Sequence, residues 1–336
     1  MSHRRILVTG ATGGLGQALV RELLARGAVV HATGRDAEAG AKLAALGAGF
    51  VPCDLAAPDA DLTALVAGCD SVIHAAALSA SWGPEADFVA ANLTVTQRLL
   101  AAARSASVAR FVFVSSPSIH ARLADQTGIG EDDAPAARPL NAYARTKLAA
   151  ERAVLAASSA AFATCAIRPR ALVGEGDRVI LPRLADLARR KRMPLPRGGR
   201  ALIELTDLRD AAWAIAEAEA RAPALAGRAI NISGGRPVAV RDLALLLAAS
   251  LGERPRLVSV PLALARPLAA VAETLARLTG SRKEPVLTRY TLATLAFSQT
   301  FDLAPAWAQL GYKPRHDALA TLLAEAQKLA GEGASA

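Results

Sequence analysis

The feature that most constrains this chain lies close to its start. An apolar run at 5–8 gives way to Thr9-Gly10-Ala11-Thr12-Gly13-Gly14-Leu15-Gly16, and an apolar repeat at Leu15, Leu19 and Leu23 continues until Gly27. The change from a short continuous run to a helical period predicts a strand, a turn and a helix over 15–26. Gly10, Gly13 and Gly16 are spaced GxxGxxG. Without side chains they permit a tight turn, close approach of backbone to a pyrophosphate, and close packing of helix on strand. The helix start then offers unpaired N–H groups and a partial positive charge to phosphates, with Thr12 and Leu15 completing the cradle.

The same alternation recurs downstream. Strand candidates at 5–8, 29–33, 49–53, 71–75, 110–115 and 163–168 are separated by helical patterns. Strands this apolar, each followed by a helix, predict a doubly wound parallel sheet of the Rossmann type, covered on both faces. Past Arg168 the regularity weakens at Pro182, Pro194, Pro196 and Gly198-Gly199. A β-like run at 201–205, a helix from near Asp207 and a strand at 229–232 follow. The expected division is a dinucleotide-binding domain over 1–174, with returning segments near 203–232. A smaller, mainly helical substrate domain over 175–202 and 233–330 is interleaved with it, and 331–336 forms a frayed tail.

Composition narrows the function classes. The net charge of +9 invites a nucleic-acid reading, but the basic residues are scattered and aromatics are only 4%, so stacking platforms for bases are missing. The charge suits solubility and a polyanionic cofactor instead. Cys53, Cys69 and Cys165 show no CxxC pairing and read as free thiols in a reducing compartment. The five histidines have no metal-ligand spacing, so no metal is expected. The opening residues are too short for a signal-peptide core, and no apolar run reaches the length of a membrane span. A cytoplasmic enzyme with a small-molecule substrate is expected, without nucleic-acid binding or stable membrane insertion.

The second strand bears on the cofactor. An NAD site usually places an acid at its end to accept from the adenosine ribose. Here Thr33-Gly34-Arg35 ends it, leaving space and a guanidinium for a 2′-phosphate, while Asp36 should point away. NADP(H) is therefore preferred, with NAD(H) possible; the alternative for Arg35 is a solvated loop residue. The catalytic signal is Asn141-Ala142-Tyr143-Ala144-Arg145-Thr146-Lys147, which opens a helix and puts Tyr143 and Lys147 on one face. A nearby ammonium makes a tyrosinate easier to form. Upstream, the apolar strand Phe111–Val114 ends in Ser115-Ser116, at the strand end where a doubly wound sheet binds ligands.

Together these features closely resemble the extended short-chain dehydrogenase/reductase family, over nearly the whole chain, and most of all its 3β-hydroxysteroid dehydrogenase-like branch. Ser115-Ser116-Pro117-Ser118-Ile119 and Ser298-Gln299-Thr300-Phe301-Asp302 carry the branch likeness. The resemblance implies Ser116, Tyr143 and Lys147 as catalytic residues. It also implies cofactor contacts from Asp54 and Leu55 near the adenine, from Ala75 and Ala76 after His74, from Asn92, and from Pro169 in Arg168-Pro169-Arg170. Substrate contacts are expected at Ser118, His120 and Arg170, although His120 also reads as loop packing. A homodimer through helices near 87–103 and 142–157 is implied too.

The function expected is interconversion of a ketone and a secondary alcohol on a hydrophobic substrate such as a steroid or β-keto acid. Two other readings stay open: an NAD-dependent nucleotide-sugar 4-epimerase, and a non-catalytic NADP(H)-binding sensor or scaffold. A sugar 4,6-dehydratase is disfavoured, because by the resemblance Pro117 and Ser118 stand where it needs an acid and a base. In the apolar segment 261–278, Arg266, Glu273 and Arg277 form a narrow polar stripe and Pro267 is placed to set the first turn. Packing on the second domain or a subunit, a lid over a greasy substrate, and membrane-surface association are the readings it allows.

Overall fold

A computed structural model describes residues 4–335. Seven parallel strands form the central sheet: β1 (Arg5–Thr9), β2 (Val29–Gly34), β3 (Gly49–Pro52), β4 (Ser71–His74), β5 (Arg110–Val114), β6 (Ala163–Pro169) and β7 (Ala229–Ile232). Their order is β7-β6-β5-β4-β1-β2-β3, so the sheet is doubly wound and reverses direction between β1 and β4. Burial follows position: every residue of β4 and β6 is buried, whereas the edge strand β3 is largely exposed.

Helices α1 (Gly14–Ala25), α2 (Ala37–Ala45), α3 (Val95–Ser105), α4 (Ala142–Ala156) and α5 (Leu208–Ala220) cover the sheet. The pleat divides the apolar residues between two layers. Ile6 and Val8 face one layer with Leu19, Leu23 and Ile215, while Leu7 faces the other with Leu99, Ala103 and Val154. The first layer also takes Ala306, Leu310 and Tyr312 from near the C-terminus. All three cysteines are free. At the N-terminal ends of the strands, buried Glu219 of α5 gathers Arg4 at 3.1 Å, Arg110 at 3.3 Å and the Ser71 hydroxyl at 2.6 Å.

The remainder is less helical than its sequence suggests. Val238–Ala239, Leu202–Ile203, Gln299–Phe301 and Gln126–Ile129 form a second, four-stranded sheet. Leu202–Ile203 therefore pairs outside the central sheet, and Gln126–Ile129 joins the second sheet from within the first 174 residues.

Helix α6 (Leu262–Leu278) packs on α7 (Arg289–Ala296) with an inverted face. Ala265, Ala269 and Glu273 are buried, while Leu264, Leu268, Val271, Leu275 and Leu278 are at least 57% exposed. The leucines thus do not pack on the second domain; the small alanines do, because they allow close helix approach. Buried Glu273 accepts from the Arg289 backbone N–H and side chain and from Arg277. Pro261 caps α6, and Pro267 lies inside the helix rather than in its first turn. The expected frayed tail is likewise corrected: the helix Ala318–Ser335 runs on through Gly331, each added residue contributing one backbone hydrogen bond after nucleation. Residues 1–3 and 336 lie outside the described residues.

Candidate active site

The turn after β1 fits a dinucleotide. Helix α1 begins at Gly13 without a side-chain cap and without an acid in its first turn, so its leading N–H groups are free for an anion. A Cβ on Gly16 would lie 2.1 Å from the Gly10 carbonyl oxygen, and one on Gly10, at φ +67°, would lie 2.7 Å from Ala76 Cα. At Gly13 the nearest atom would be 3.5 Å away, so the space above that residue is open. Backbone packing requires two of the glycines, and the third leaves room for the phosphates.

Thr12 governs the neighbouring strand end: a Cβ at Gly34 would come within 2.5 Å of its Oγ1. No side chain, acidic or otherwise, fits there. Arg35 is exposed, and Asp36 caps α2 through Ala39 N at 3.0 Å while pairing with Arg178 at 3.2 Å. Leu15 is partly buried against the first apolar layer. Asp54 is exposed and accepts from Ala56 N, whereas Leu55 is buried in the apolar layer beneath. Ala75 and Ala76 are partly buried after β4, and Pro169 is buried at the end of β6.

The predicted catalytic residues converge at the C-terminal end of β5. Asn141 caps α4 through Ala144 N at 2.9 Å, which fixes Tyr143 in the first turn. Burial pushes the Tyr143 hydroxyl up to about 12, opposed by hydrogen bonding from Ser116 and Ser79, with Tyr290 raising it further. Ser116 Oγ accepts from Ser118 N–H at 3.2 Å, which leaves its own hydrogen to donate. Lys147 differs from expectation. Its ammonium donates to the Val114 carbonyl and lies 3.9 Å from the Phe113 ring centroid. Burial pulls it down to about 7, with Glu151 opposing. In this conformer the backbone carbonyl and the ring face hold Lys147, and Ser116, Ser79 and Tyr290 are the groups that act on Tyr143.

Asn92 is bonded within the protein. It lies in a π-helical turn, Val89–Thr94, and its amide is occupied inside the protein. Oδ1 accepts from Leu78 N at 2.7 Å, and Nδ2 donates to Leu78 O and to Thr146 Oγ1, each at 3.3 Å. With both donors engaged, it braces the segment after β4 against α4.

Among the substrate candidates, Ser118 and His120 are buried under the loop after β5. Among the described residues the Ser118 hydroxyl has no partner. Burial, with Arg168 nearby, pulls His120 down to about 4 and keeps it neutral. Arg170 is also buried, and its Nε has no partner. Ser79 and Tyr290 were missed by the sequence reading. Tyr290 carries a usable signal, because the chain has only three tyrosines.

Behind the cradle runs a directed hydrogen-bond chain. Ala76 N–H donates to Thr9 Oγ1 at 3.3 Å, and Thr9 Oγ1 lies 2.7 Å from His74 Nδ1. His74 Nε2 lies 3.0 Å from Thr96 Oγ1, which donates to the Asn92 carbonyl at 2.6 Å. Since the Thr96 hydrogen is committed, Nε2 must be the protonated nitrogen and Nδ1 the acceptor. Burial, then the charge of Lys147, pushes His74 down to about 3. Between that value and the 6.5 of an unperturbed histidine, the unfolded chain binds a proton that the folded one refuses. Stability should thus fall by about 1.4 kcal/mol per pH unit as pH drops through that window. His74→Gln keeps one donor and one acceptor but does not titrate. In urea melts from pH 7 to 4 the difference between parent and variant should shrink or reverse on acidification; parallel profiles contradict this role.

Among the described residues, no helix is long and apolar enough to cross a membrane. Residues 6–233 match the NAD dependent epimerase/dehydratase family. A 2-alkyl-3-oxoalkanoate reductase from Stenotrophomonas maltophilia is 38% identical over 317 residues, 93% of this chain and 95% of that protein. A 4-hydroxy-2-methyl-3-oxo-4-farnesyl-3,4-dihydroquinoline-1-oxide ketoreductase from Stigmatella aurantiaca is 34% identical, covering 93% of this chain and 92% of its own. The solved structure of MoeE5 in complex with UDP-glucose and NAD superposes with a TM-score of 0.74 at 26% identity, over 97% of this chain and 99% of that one. The chain belongs to the NAD-dependent epimerase/dehydratase family, the extended short-chain dehydrogenase/reductases, and is an oxidoreductase.

Proposed function

We propose that this enzyme is an NADP(H)-dependent ketoreductase acting on a hydrophobic ketone, with the reverse oxidation of a secondary alcohol. The reading rests on Ser116 at the end of β5 and Tyr143 in the first turn of α4, whose hydroxyls are within hydrogen-bonding reach at the end of the sheet that carries the glycine cradle. When bound, the nicotinamide supplies hydride chemistry. Ser116, with one lone pair held by Ser118 N–H, donates its hydrogen to the substrate oxygen. Tyr143 donates a hydrogen bond to the same oxygen and then its proton, so that a carbonyl becomes a hydroxyl. Lys147, one helical turn on, is assigned to the nicotinamide ribose and exchanges the Val114 carbonyl for it. The hydrophobic substrate is supported by the two reductase relatives, whose names specify an alkylated oxoalkanoate and a farnesylated ring.

Preference for NADP(H) over NAD(H) rests on the end of β2. Thr12 excludes a side chain at Gly34, Asp36 is committed to α2 and Arg178, and Arg35 is exposed and without a partner among the described residues. A guanidinium so placed pairs with a 2′-phosphate, which a carboxylate repels.

Two outcomes follow for the purified protein. Tyr143→Phe should lower kcat by about 100- to 10,000-fold while NADPH still binds, as read by fluorescence of the reduced nicotinamide. Activity within a few-fold of the parent removes Tyr143 from proton transfer. Arg35→Ser should shift the ratio of kcat/KM for NADPH over NADH toward NADH by about tenfold to a hundredfold. An unchanged ratio places Arg35 outside the cofactor site.

A further inference from the structure

Two arginines stand two residues apart at the end of β6, and the protein treats them oppositely. Arg168 is buried and fully matched: its Nε and Nη2 grip both Glu151 oxygens at 2.8 and 2.6 Å, and its Nη1 reaches Asn231 at 3.5 Å. Arg170 is 8% exposed, its Nε is sealed from solvent with no partner, and among the described residues no carboxylate lies within ion-pairing distance of its guanidinium. Glu204, within electrostatic reach of it, accepts the Ser233 hydroxyl at 2.5 Å and a backbone hydrogen bond from Phe301. The main chain around Arg170 is held firmly. Its N–H donates to Ile232 O at 2.9 Å, its carbonyl accepts from Thr206 Oγ1, and Ala171 beside it is at φ +40°.

A buried cation without a counter-charge is unfavourable, so a fold that keeps one leaves the compensation to something else. Tyr290, second residue of α7, lies within electrostatic reach of both Tyr143 and Arg170. Ile167, three residues before Arg170, accepts from the Ser115 N–H at 2.7 Å, so Arg170 leaves β6 at the same end of the sheet at which Ser116 leaves β5. A guanidinium offers a planar fork of donors that matches a carboxylate bidentately.

We propose that Arg170 anchors a carboxylate of the substrate, so that the pocket selects a keto acid, with its carbonyl a short distance from its acid group, over a neutral ketone such as a steroid. This rests on the ketoreductase reading and names its substrate class.

The test uses 3-hydroxydodecanoate and its methyl ester as oxidisable probes with NADP+, on the parent, Arg170→Gln and Arg170→Lys. The parent should favour the acid, and in Arg170→Gln the acid-to-ester ratio of kcat/KM should fall by about a hundredfold. Arg170→Lys, which keeps the charge but loses the fork, should lie between them. A parent-like ratio in Arg170→Gln overturns the anchor and leaves the reductase reading intact. If the parent oxidises neither probe, the reaction assigned to the site fails, and binding alone decides the anchor. 3-Hydroxydodecanoate should then raise the melting temperature of the parent and not that of Arg170→Gln; equal shifts overturn it. Should Arg170→Gln not fold, the comparison of Arg170→Lys with the parent serves the same purpose.

Discussion

The parting of the chain at the C-terminal ends of β1 and β4 is the constraint on which the site depends. There the two central strands lie side by side, and the segments that leave them diverge. The crevice so opened is lined by backbone because Gly10 abuts Ala76, and a Cβ would abolish that contact. Thr9 and His74, paired across the two strands, tie the floor of the crevice to Thr96 and, through the Asn92 turn, to Thr146 of the catalytic helix. Cradle and acid–base group are thus positioned by one buried hydrogen-bond chain whose directions all agree. Such networks rigidify only when every member is satisfied.

Polar residues are distributed by task along the strands. At the N-terminal ends, Glu219 collects Arg4, Arg110 and Ser71 and ties α5 to the sheet, far from the chemistry. At the C-terminal ends, the Arg168–Glu151 pair fixes α4 to β6. Beside it the unmatched groups accumulate: Arg170 Nε and the Ser115 and Ser118 hydroxyls. The matched charges hold the scaffold, and the carboxylate anchor proposed above is one of the unmatched groups.

The legible parts of the sequence were those whose chemistry is local. The glycine turn, the Tyr143–Lys147 spacing and the serines ending β5 are each contained within a few residues. The period of the apolar runs was enough to place the central strands. What escaped depends on distant segments meeting. Ser79, Tyr143 and Tyr290 are far apart in sequence and come together only in the folded chain. The direction of Lys147 was unreadable for a similar reason, since the Val114 carbonyl and Phe113 ring that hold it belong to another strand. Helix α6 shows the opposite failure. Its periodicity was plain, but apolarity alone pointed the leucines inward, whereas the buried side is set by Ala265, Ala269 and the anchoring Glu273.

The account's centre is a single oxygen atom held jointly by two hydroxyls. A crystal structure of the enzyme with NADP+ and a secondary alcohol that it oxidises measures this directly. The alcohol oxygen should lie about 3 Å from both Ser116 Oγ and Tyr143 Oη, with its carbon facing the nicotinamide C4 over the glycine turn. An oxygen bound by only one of the two, or a nicotinamide on the other side of the sheet, would contradict it.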